Sequence, residues 1–214
     1  MRSTRPLYSI STGTPVSATW SRMDARFLRT YDALRLNATI PLVRASILQI
    51  NSSSGGVPKR AVPEAVVTRL GIQGDLHAHP EVHGGPSKAL LLITSEGTAE
   101  LVAAGFPLFD GALGENITTL GLDRRAMRPG QRYKIGGIVV ELAKLRMPCR
   151  TIQVYGPSIG KAVYDDRVDE GDPTSPRWGL GGFYARVITP GTIRTGDGIE
   201  LVGEPLGRLG GQPE

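Results

Sequence analysis

The sequence has very little cysteine and no long hydrophobic run. Cys149 is the only cysteine among 214 residues, so the chain cannot form an internal disulfide, and a reducing, cytoplasmic compartment is expected. The longest uninterrupted apolar run is residues 89–93, which is far too short to span a bilayer. The sequence therefore predicts a protein without a membrane-spanning segment.

Excess positive charge is absent from most of the chain. Residues 1–44 carry seven arginines and two acids, a net charge of +5, whereas residues 45–214 carry 18 basic and 18 acidic side chains. A nucleic-acid-binding domain needs a cluster of basic residues on its folded surface. No basic run interleaved with aromatic residues occurs after residue 44, so the sequence argues against nucleic acid as a partner.

The two ends of the chain differ in composition from its centre. Residues 1–41 form a basic leader that is rich in Ser and Thr and has no acid before Asp24. It is predicted to be partly disordered, although a transit peptide has a similar composition and Met23 could be the true start. Residues 204–214 are rich in Gly and Pro and are predicted to be a tail. One domain is expected over residues 42–203.

Many short strands are predicted between these ends. The 28 glycines and 16 prolines indicate a chain with many turns. Residues 94–105 carry a helix signature, with Thr94 or Ser95 as N-cap and Gly105 at the end, and residues 156–168 can hold a second helix. The apolar or alternating segments that predict strands are residues 42–50, 65–70, 89–93, 131–135, 138–145, 183–189 and 198–202. Together these elements predict a mainly β, barrel-like domain.

The three histidines of the chain lie close together, at His77, His79 and His83. Three imidazoles and a water can hold zinc, but this spacing matches no established zinc motif, and the Gly and Pro nearby indicate a loop. The turn that follows, residues 84–88, offers backbone N–H groups and a lysine, which together can bind an oxyanion. A zinc-binding structural module therefore remains one alternative.

A carboxylate and a carboxamide are adjacent at Glu115 and Asn116, directly after Gly114. Such a pair can orient a polar ligand, or it can accept hydrogen bonds from nearby backbone amides and hold a turn. From residue chemistry alone, the turn-holding role is favoured.

Cys149 follows Pro148 at the end of the predicted strand 138–145. Because proline lacks the N–H that a ladder needs, strand pairing should stop there. Arg146 and Arg150 flank the thiol, and a nearby cation favours the thiolate, which attacks electrophiles or ligates soft metals. A lone cysteine is nevertheless more often a buried, inert residue, and residue chemistry alone favours that reading.

Six short motifs in a fixed order resemble the MOSC domain, the module named for the C-terminus of molybdenum-cofactor sulfurases. The resemblance covers nearly all of residues 44–202. It implies a closed, mostly antiparallel β-barrel of pyruvate-kinase-barrel-like type with one or two short helices. The motifs are GGVPK (55–59), GIQGD (71–75), HGGPSKA (83–89), GENI (114–117), MPC (147–149) and YARV with GTIRTGD (184–197).

The resemblance also implies a molybdenum cofactor (molybdopterin) and assigns roles to individual residues. Cys149 would be the catalytic residue and the molybdenum ligand, or it would carry a persulfide. Asp75 and Asp197, each after a glycine, are expected to be turn residues. The implied cofactor-binding residues are Lys59, His83, Gly84, Gly85, Lys88, Glu115, Asn116 and Arg186.

The sequence lacks domains and motifs that other members of the family it resembles contain. It contains no pyridoxal-phosphate domain, no extra N-terminal β module, no helical C-terminal extension and no cysteine cluster for electron delivery. The favoured hypothesis is an oxidoreductase that reduces an N-hydroxylated small molecule with electrons from a separate donor protein. The second is a non-catalytic carrier that takes sulfur from a donor protein, or holds the cofactor, at Cys149. Substrate, partner and oligomeric state do not follow from the sequence.

Overall fold

The computed structural model describes residues 44–76 and 84–205. The predicted leader, most of the predicted tail and all three histidines lie outside the described residues, and the predicted zinc cluster lies there with them. In the described part, no helix is long and apolar enough to cross a membrane.

The described residues form mainly strands, with a few short helices. The helices are α1 (Ser95–Ala103), α2 (Ile159–Val163) and α3 (Asp166–Asp169), with 3-10 helices at Pro86–Lys88 and Arg150–Tyr155. The strands are β1 (Ser46–Ser52), β2 (Arg60–Val62), β3 (Glu64–Thr68), β4 (Gly71–Ile72), β5 (Leu90–Thr94), β6 (Ile117–Leu120), β7 (Arg132–Ile135), β8 (Ile138–Leu145), β9 (Phe183–Thr189), β10 (Gly191–Arg194) and β11 (Ile199–Gly203).

The strands form two sheets, and the predicted closed barrel is wrong. The larger sheet has eight strands in the order β11-β7-β8-β9-β5-β6-β1-β2, and the smaller has the order β10-β3-β4. Only β5 and β6 pair in parallel; the other described pairs are antiparallel. Within the described residues, β11 and β2 end the strand order of the larger sheet and do not pair with each other. The prediction of a mainly β domain is therefore confirmed, but the prediction of a closed barrel is not.

Two prolines give a physical reason for the second sheet. Pro63 separates β2 from β3, and Pro190 separates β9 from β10. Because proline has no N–H to donate, the ladder is interrupted at each position. The chain leaves the larger sheet at both points, and β3 and β10 then pair with each other over Glu64–Val67 and Gly191–Arg194.

The core lies on both faces of β5. Leu90 and Leu92 belong to the larger hydrophobic cluster between the strands, whereas Leu91 and Ile93 belong to a second cluster. The second cluster includes residues of α1, α2 and the 3-10 helix Arg150–Tyr155. Successive side chains of a strand point to opposite faces, which explains why all five β5 residues are buried.

The helices are more numerous than predicted, although α1 begins as expected. The Thr94 hydroxyl accepts a hydrogen bond from the Gly97 N–H at 3.1 Å, which caps the first turn. The second predicted helix is divided into α2 and α3 because Asp165 has an extended backbone and caps α3, accepting from the Val168 N–H. The prediction of one or two helices is therefore wrong: the described part has three α-helices and two 3-10 helices.

Candidate functional site

A small cavity of about 70 Å³ lies beside Cys149. Its walls come from the loop between β1 and β2, the turn before β5, the loop before β6 and the segment after β8. The described residues that line it are Gly56, Val57, Lys59, Leu76, Gly84, Lys88, Leu91, Leu113, Gly114, Asn116, Arg146, Cys149, Thr151 and Tyr184.

Lys59 is held at the cavity wall by a buried network. Its side chain is 5% exposed and forms an ion pair with Asp75 Oδ2. Asn116 Nδ2 donates to the same oxygen at 2.8 Å, and Ser53 N–H donates to Asp75 Oδ1 at 2.9 Å. Burial lowers the pKa of Lys59, and the attraction of Asp75 opposes this effect. Asp75, expected only to hold a turn, therefore also serves as the counter-ion of a cavity lysine.

Asn116 links this network to the larger sheet. Its side-chain Oδ1 accepts from the Leu91 N–H at 3.1 Å, and its backbone N–H donates to Leu91 O at 2.8 Å. Both ends of the carboxamide are thus engaged by the protein. Asn116 fixes Asp75 relative to β5 and so positions Lys59.

Glu115 is buried behind the cavity and holds a turn. Its Oε1 accepts from the Gly111 N–H at 2.6 Å and from Thr118 Oγ1 at 3.4 Å, whereas its Oε2 has no partner among the described residues. Burial raises the pKa of Glu115 even though hydrogen bonds from the backbone N–H groups of Gly111 and Glu115 and the charge of Arg146 oppose it. A protonated Oε2 would carry no charge, which suits a position that is 1% exposed.

Cys149 lies in extended backbone directly before the 3-10 helix Arg150–Tyr155 and is half-buried. Burial raises the pKa of its thiol, but the Thr151 hydroxyl, the Arg146 guanidinium and two backbone N–H groups lower it by more, so the pKa falls below its ordinary value. Arg146 Nη2 is 3.9 Å from Sγ, whereas Arg150 is exposed. The thiolate is therefore favoured, and Arg146 is the flanking cation that favours it.

Arg146 has a buried guanidinium nitrogen with no partner. The residue is 4% exposed, and Nη1 makes no hydrogen bond within the described part of the chain. Its backbone N–H donates to Gly182 O at 2.9 Å, which keeps the side chain beside β9. An unsatisfied buried donor on a charged group is costly. Arg146 also lines the cavity, so an anion bound there would lie against its positive charge.

The glycine turn before β5 contributes to the same wall. Gly84 and Lys88 line the cavity, and Gly85 precedes the 3-10 helix Pro86–Lys88 with a φ of 84°. The Lys88 Nζ lies 5.8 Å from the centre of the Tyr184 ring, over its face. His83, the remaining residue proposed for this turn, lies outside the described residues.

Arg186 does not join the other proposed residues. It lies on β9, its side chain is 50% exposed, and Nη1 is 3.5 Å from Glu141 Oε1. Asp197 is also remote from the cavity lining, and its Oδ2 accepts from the Arg194 N–H at 2.8 Å, which is a turn-holding contact. The structure thus brings the predicted residues Lys59, Gly84, Lys88, Asn116 and Cys149 to one cavity, together with Arg146, which was predicted only as a cation flanking the thiol. Tyr184 of the lining, and Asp75 as the partner of Lys59, were not predicted to belong to a site.

No part of the described chain offers a conventional metal centre. No group of three or more His, Cys, Asp or Glu side chains there could hold a metal ion by itself. A metal at this cavity would therefore need other ligands besides Cys149.

Comparisons with known proteins agree on one family. The MOSC domain family model matches residues 79–200. The uncharacterized protein YflK of Bacillus subtilis (strain 168) is 30% identical over 152 residues, covering 69% of this chain and 63% of YflK. Protein YiiM of Escherichia coli (strain K12) is 28% identical over 149 residues, covering 65% of this chain and 59% of YiiM. The chain thus spans less than two thirds of the length of either relative.

A solved structure supports the same relationship. The crystal structure of YiiM from Geobacillus stearothermophilus superposes with a TM-score of 0.59 at 26% identity, covering 77% of this chain and 78% of that chain.

Proposed function

The chain belongs to the MOSC domain family, and on that premise we propose that it binds a molybdenum cofactor beside Cys149 and reduces N-hydroxylated small molecules. The observation that carries the proposal is the unpartnered, buried Nη1 of Arg146 next to a thiol whose pKa is lowered. The Arg146 guanidinium, which would bind an anion, and the Cys149 thiol, which would bind a metal, therefore line the same cavity.

The side chains present are chemically suited to such a cofactor, although a cavity of about 70 Å³ must open to admit it. Lys59, Lys88 and Arg146 would hold its anionic phosphate and pterin oxygens, since charge-assisted hydrogen bonds to oxyanions are strong. Cys149 would be the protein ligand of the metal, because thiolates suit soft metals. When bound, the cofactor supplies two-electron redox chemistry at molybdenum.

The chain itself contributes orientation and charge. Thr151 and Arg146 lower the pKa of the Cys149 thiol, and Asp75 with Asn116 holds Lys59 in place. The net reaction breaks an N–O bond: R₂N–OH takes up two electrons and two protons and yields R₂NH and water. The electrons would come from a separate donor protein, because one cysteine, Cys149, cannot supply the four thiolates that hold an iron–sulfur cluster.

Elemental analysis tests the proposal directly. The protein is purified from a host that makes the cofactor, and molybdenum, zinc and pterin are measured for wild type, Cys149→Ser, Arg146→Gln and Arg150→Gln. We expect stoichiometric molybdenum in wild type and in Arg150→Gln, a loss in Cys149→Ser and a reduced content in Arg146→Gln. Arg150 is the matched control because it flanks the same thiol but is exposed.

A sulfur carrier is the second candidate, and the half-buried, low-pKa thiol favours it as well. A thiolate can attack a sulfane donor and hold the sulfur as a persulfide. In that case the purified protein would contain no molybdenum but would release cyanide-labile sulfur, and Cys149→Ser would lose it. If Cys149→Ser changed neither metal nor sulfur, both candidates would be wrong.

A further inference from the structure

Two buried polar atoms of opposite type lack partners near the cavity. One is the acceptor Oε2 of Glu115, and the other is the donor Nη1 of Arg146; neither forms a hydrogen bond within the described residues. The two charges nevertheless interact, because burial raises the pKa of Glu115 and the positive charge of Arg146 opposes that rise. The guanidinium therefore acts on the carboxyl without a hydrogen bond between these two atoms.

Three other ionisable groups interact with Glu115 from the elements packed around it. Lys59, which precedes β2, attracts its carboxylate. Asp110, in the loop between α1 and β6, adds to the rise in pKa that burial causes. Burial and the Glu115 charge together raise the pKa of Tyr155, at the end of the second 3-10 helix. Whether Glu115 is ionised thus depends on how much of the positive charge around it is neutralised by other anions.

The two cations that attract Glu115 also line the cavity. Lys59 is already paired with Asp75, whereas Arg146 keeps an unpartnered nitrogen. An oxyanion bound in the cavity and the Glu115 carboxylate would therefore both be attracted by the same guanidinium. Because like charges that share a site disfavour each other's ionised form, an anion in the cavity favours the protonated form of Glu115.

We propose that Glu115 takes up a proton when an oxyanion binds beside Arg146, so that the cavity binds its anion and a proton together. The inference rests on the function proposed above only in that the same cavity accepts an anionic group. The proton comes from the solvent, and the one covalent bond formed is the O–H bond of the Glu115 carboxyl. Uptake is confined to pH values above the pKa of Glu115 in the empty protein, because below it the carboxyl already carries the proton.

Sulfate tests the proposal, because it is a small tetrahedral oxyanion whose own charge stays fixed around neutral pH. The cavity of about 70 Å³ exceeds the roughly 10–15 Å³ that a single water needs, so a small anion has room. The full chain carrying Cys149→Ser, here called the parent, is purified from a host that does not make the cofactor. This substitution removes the thiol, which would otherwise also exchange protons near Arg146.

Calorimetric titrations with sulfate in two buffers of different ionisation enthalpy measure the protons taken up per bound anion. We expect the parent to take up as much as one proton, and its sulfate affinity to fall by up to about tenfold per pH unit above the pKa of Glu115. His77, His79 and His83 can also titrate in this range, but they are present in every protein compared, so only the difference between proteins reports on Glu115.

The variant Glu115→Gln, made in the parent, should lose this uptake. Because glutamine resembles the protonated carboxyl, the variant should bind sulfate at high pH as tightly as the parent does at low pH. A residue with a merely structural role would give the opposite result, since damage to the site weakens binding at every pH. The uptake by the parent is read independently, so a poorly folded variant does not remove the test.

Asp110→Asn is the matched control. Asp110 is a half-buried carboxylate that interacts with Glu115 but is not among the described residues lining the cavity. This variant should retain the proton uptake and shift it to lower pH, because Asp110 contributes to the raised pKa of Glu115. Four results would overturn the proposal: no sulfate binding, no uptake by the parent, equal uptake by the parent and Glu115→Gln, or loss of the uptake in Asp110→Asn.

Molybdenum content separates this proposal from the preceding one. Molybdenum in the wild-type protein without proton-linked sulfate binding in the parent would retain the proposed function and refute the role of Glu115. Proton-linked sulfate binding without molybdenum would refute that function and retain the coupling between Glu115 and the anion.

Discussion

Replacing Gly111 by alanine is expected to destabilise the protein by about 2–4 kcal/mol. Gly111 has a φ of +95°, and an alanine Cβ there would lie 2.4 Å from the carbonyl oxygen of Lys59. The left-handed backbone costs an L-residue about 1–2 kcal/mol. Relieving the close approach must also weaken the 2.9 Å bond from Lys59 N–H to Gly111 O or the 2.6 Å bond from Gly111 N–H to Glu115, at about 1–2 kcal/mol each.

Gly105 is a matched control for this substitution. It has the same φ of +95°, but a Cβ there would meet nothing within 4 Å, so Gly105→Ala should cost only the backbone term of about 1–2 kcal/mol. Urea unfolding followed by circular dichroism measures both variants. With a slope of about 2 kcal/mol/M, the Gly111→Ala midpoint should lie about 0.5–1 M below that of Gly105→Ala. Coinciding midpoints would refute the argument that packing against Lys59 requires a glycine.

Three further predictions concern charged groups at the site. Asp75→Ala leaves a buried lysine without its counter-ion and should cost about 3–5 kcal/mol in urea unfolding; a loss below about 1 kcal/mol would mean that the ion pair contributes no more than a surface pair. Burial raises the pKa of Glu115 above 4.5, so its contribution to stability is complete below pH 4.5 and is lost as the pH rises through the raised value. Glu115→Gln should therefore show a flatter dependence of unfolding free energy on pH above 4.5, and an unchanged slope would contradict this assignment. Arg146→Gln should raise the pKa of Cys149 and slow its alkylation by iodoacetamide at neutral pH several-fold, whereas Arg150→Gln should not; equal rates in the two variants would show that Arg146 does not activate the thiol.

The strands and the helix that were predicted correctly are determined by residues close together in the sequence. The predicted strands 138–145 and 183–189 coincide with β8 and β9, because glycines precede the first, the second ends before Pro190, and their apolar periodicity is strong. The helix after β5 was confirmed for the same reason, since its cap depends on residues within three positions of Thr94. The closed barrel depended instead on which strands pair across the chain, and that prediction was wrong.

The site residues likewise divide into those that short motifs predict and those whose role depends on contacts with distant parts of the chain. Cys149, Lys59 and Lys88 could be proposed from motifs, and they line one cavity. The second role of Asp75 could not be predicted, because its partners lie 16 residues before it and 41 residues after it.

The sequence by itself determined the family, the β-rich composition of the domain and the single thiol on which any cysteine chemistry must depend. Tertiary structure alone decided that the larger sheet stays open, that Arg146 rather than Arg150 approaches Cys149, and that residues from distant parts of the chain line one cavity beside that thiol. The physical reason is that burial, protonation and cavity shape depend on contacts between residues distant in the chain. Neither the hydrophobic periodicity of the sequence nor the order of its motifs specifies those contacts.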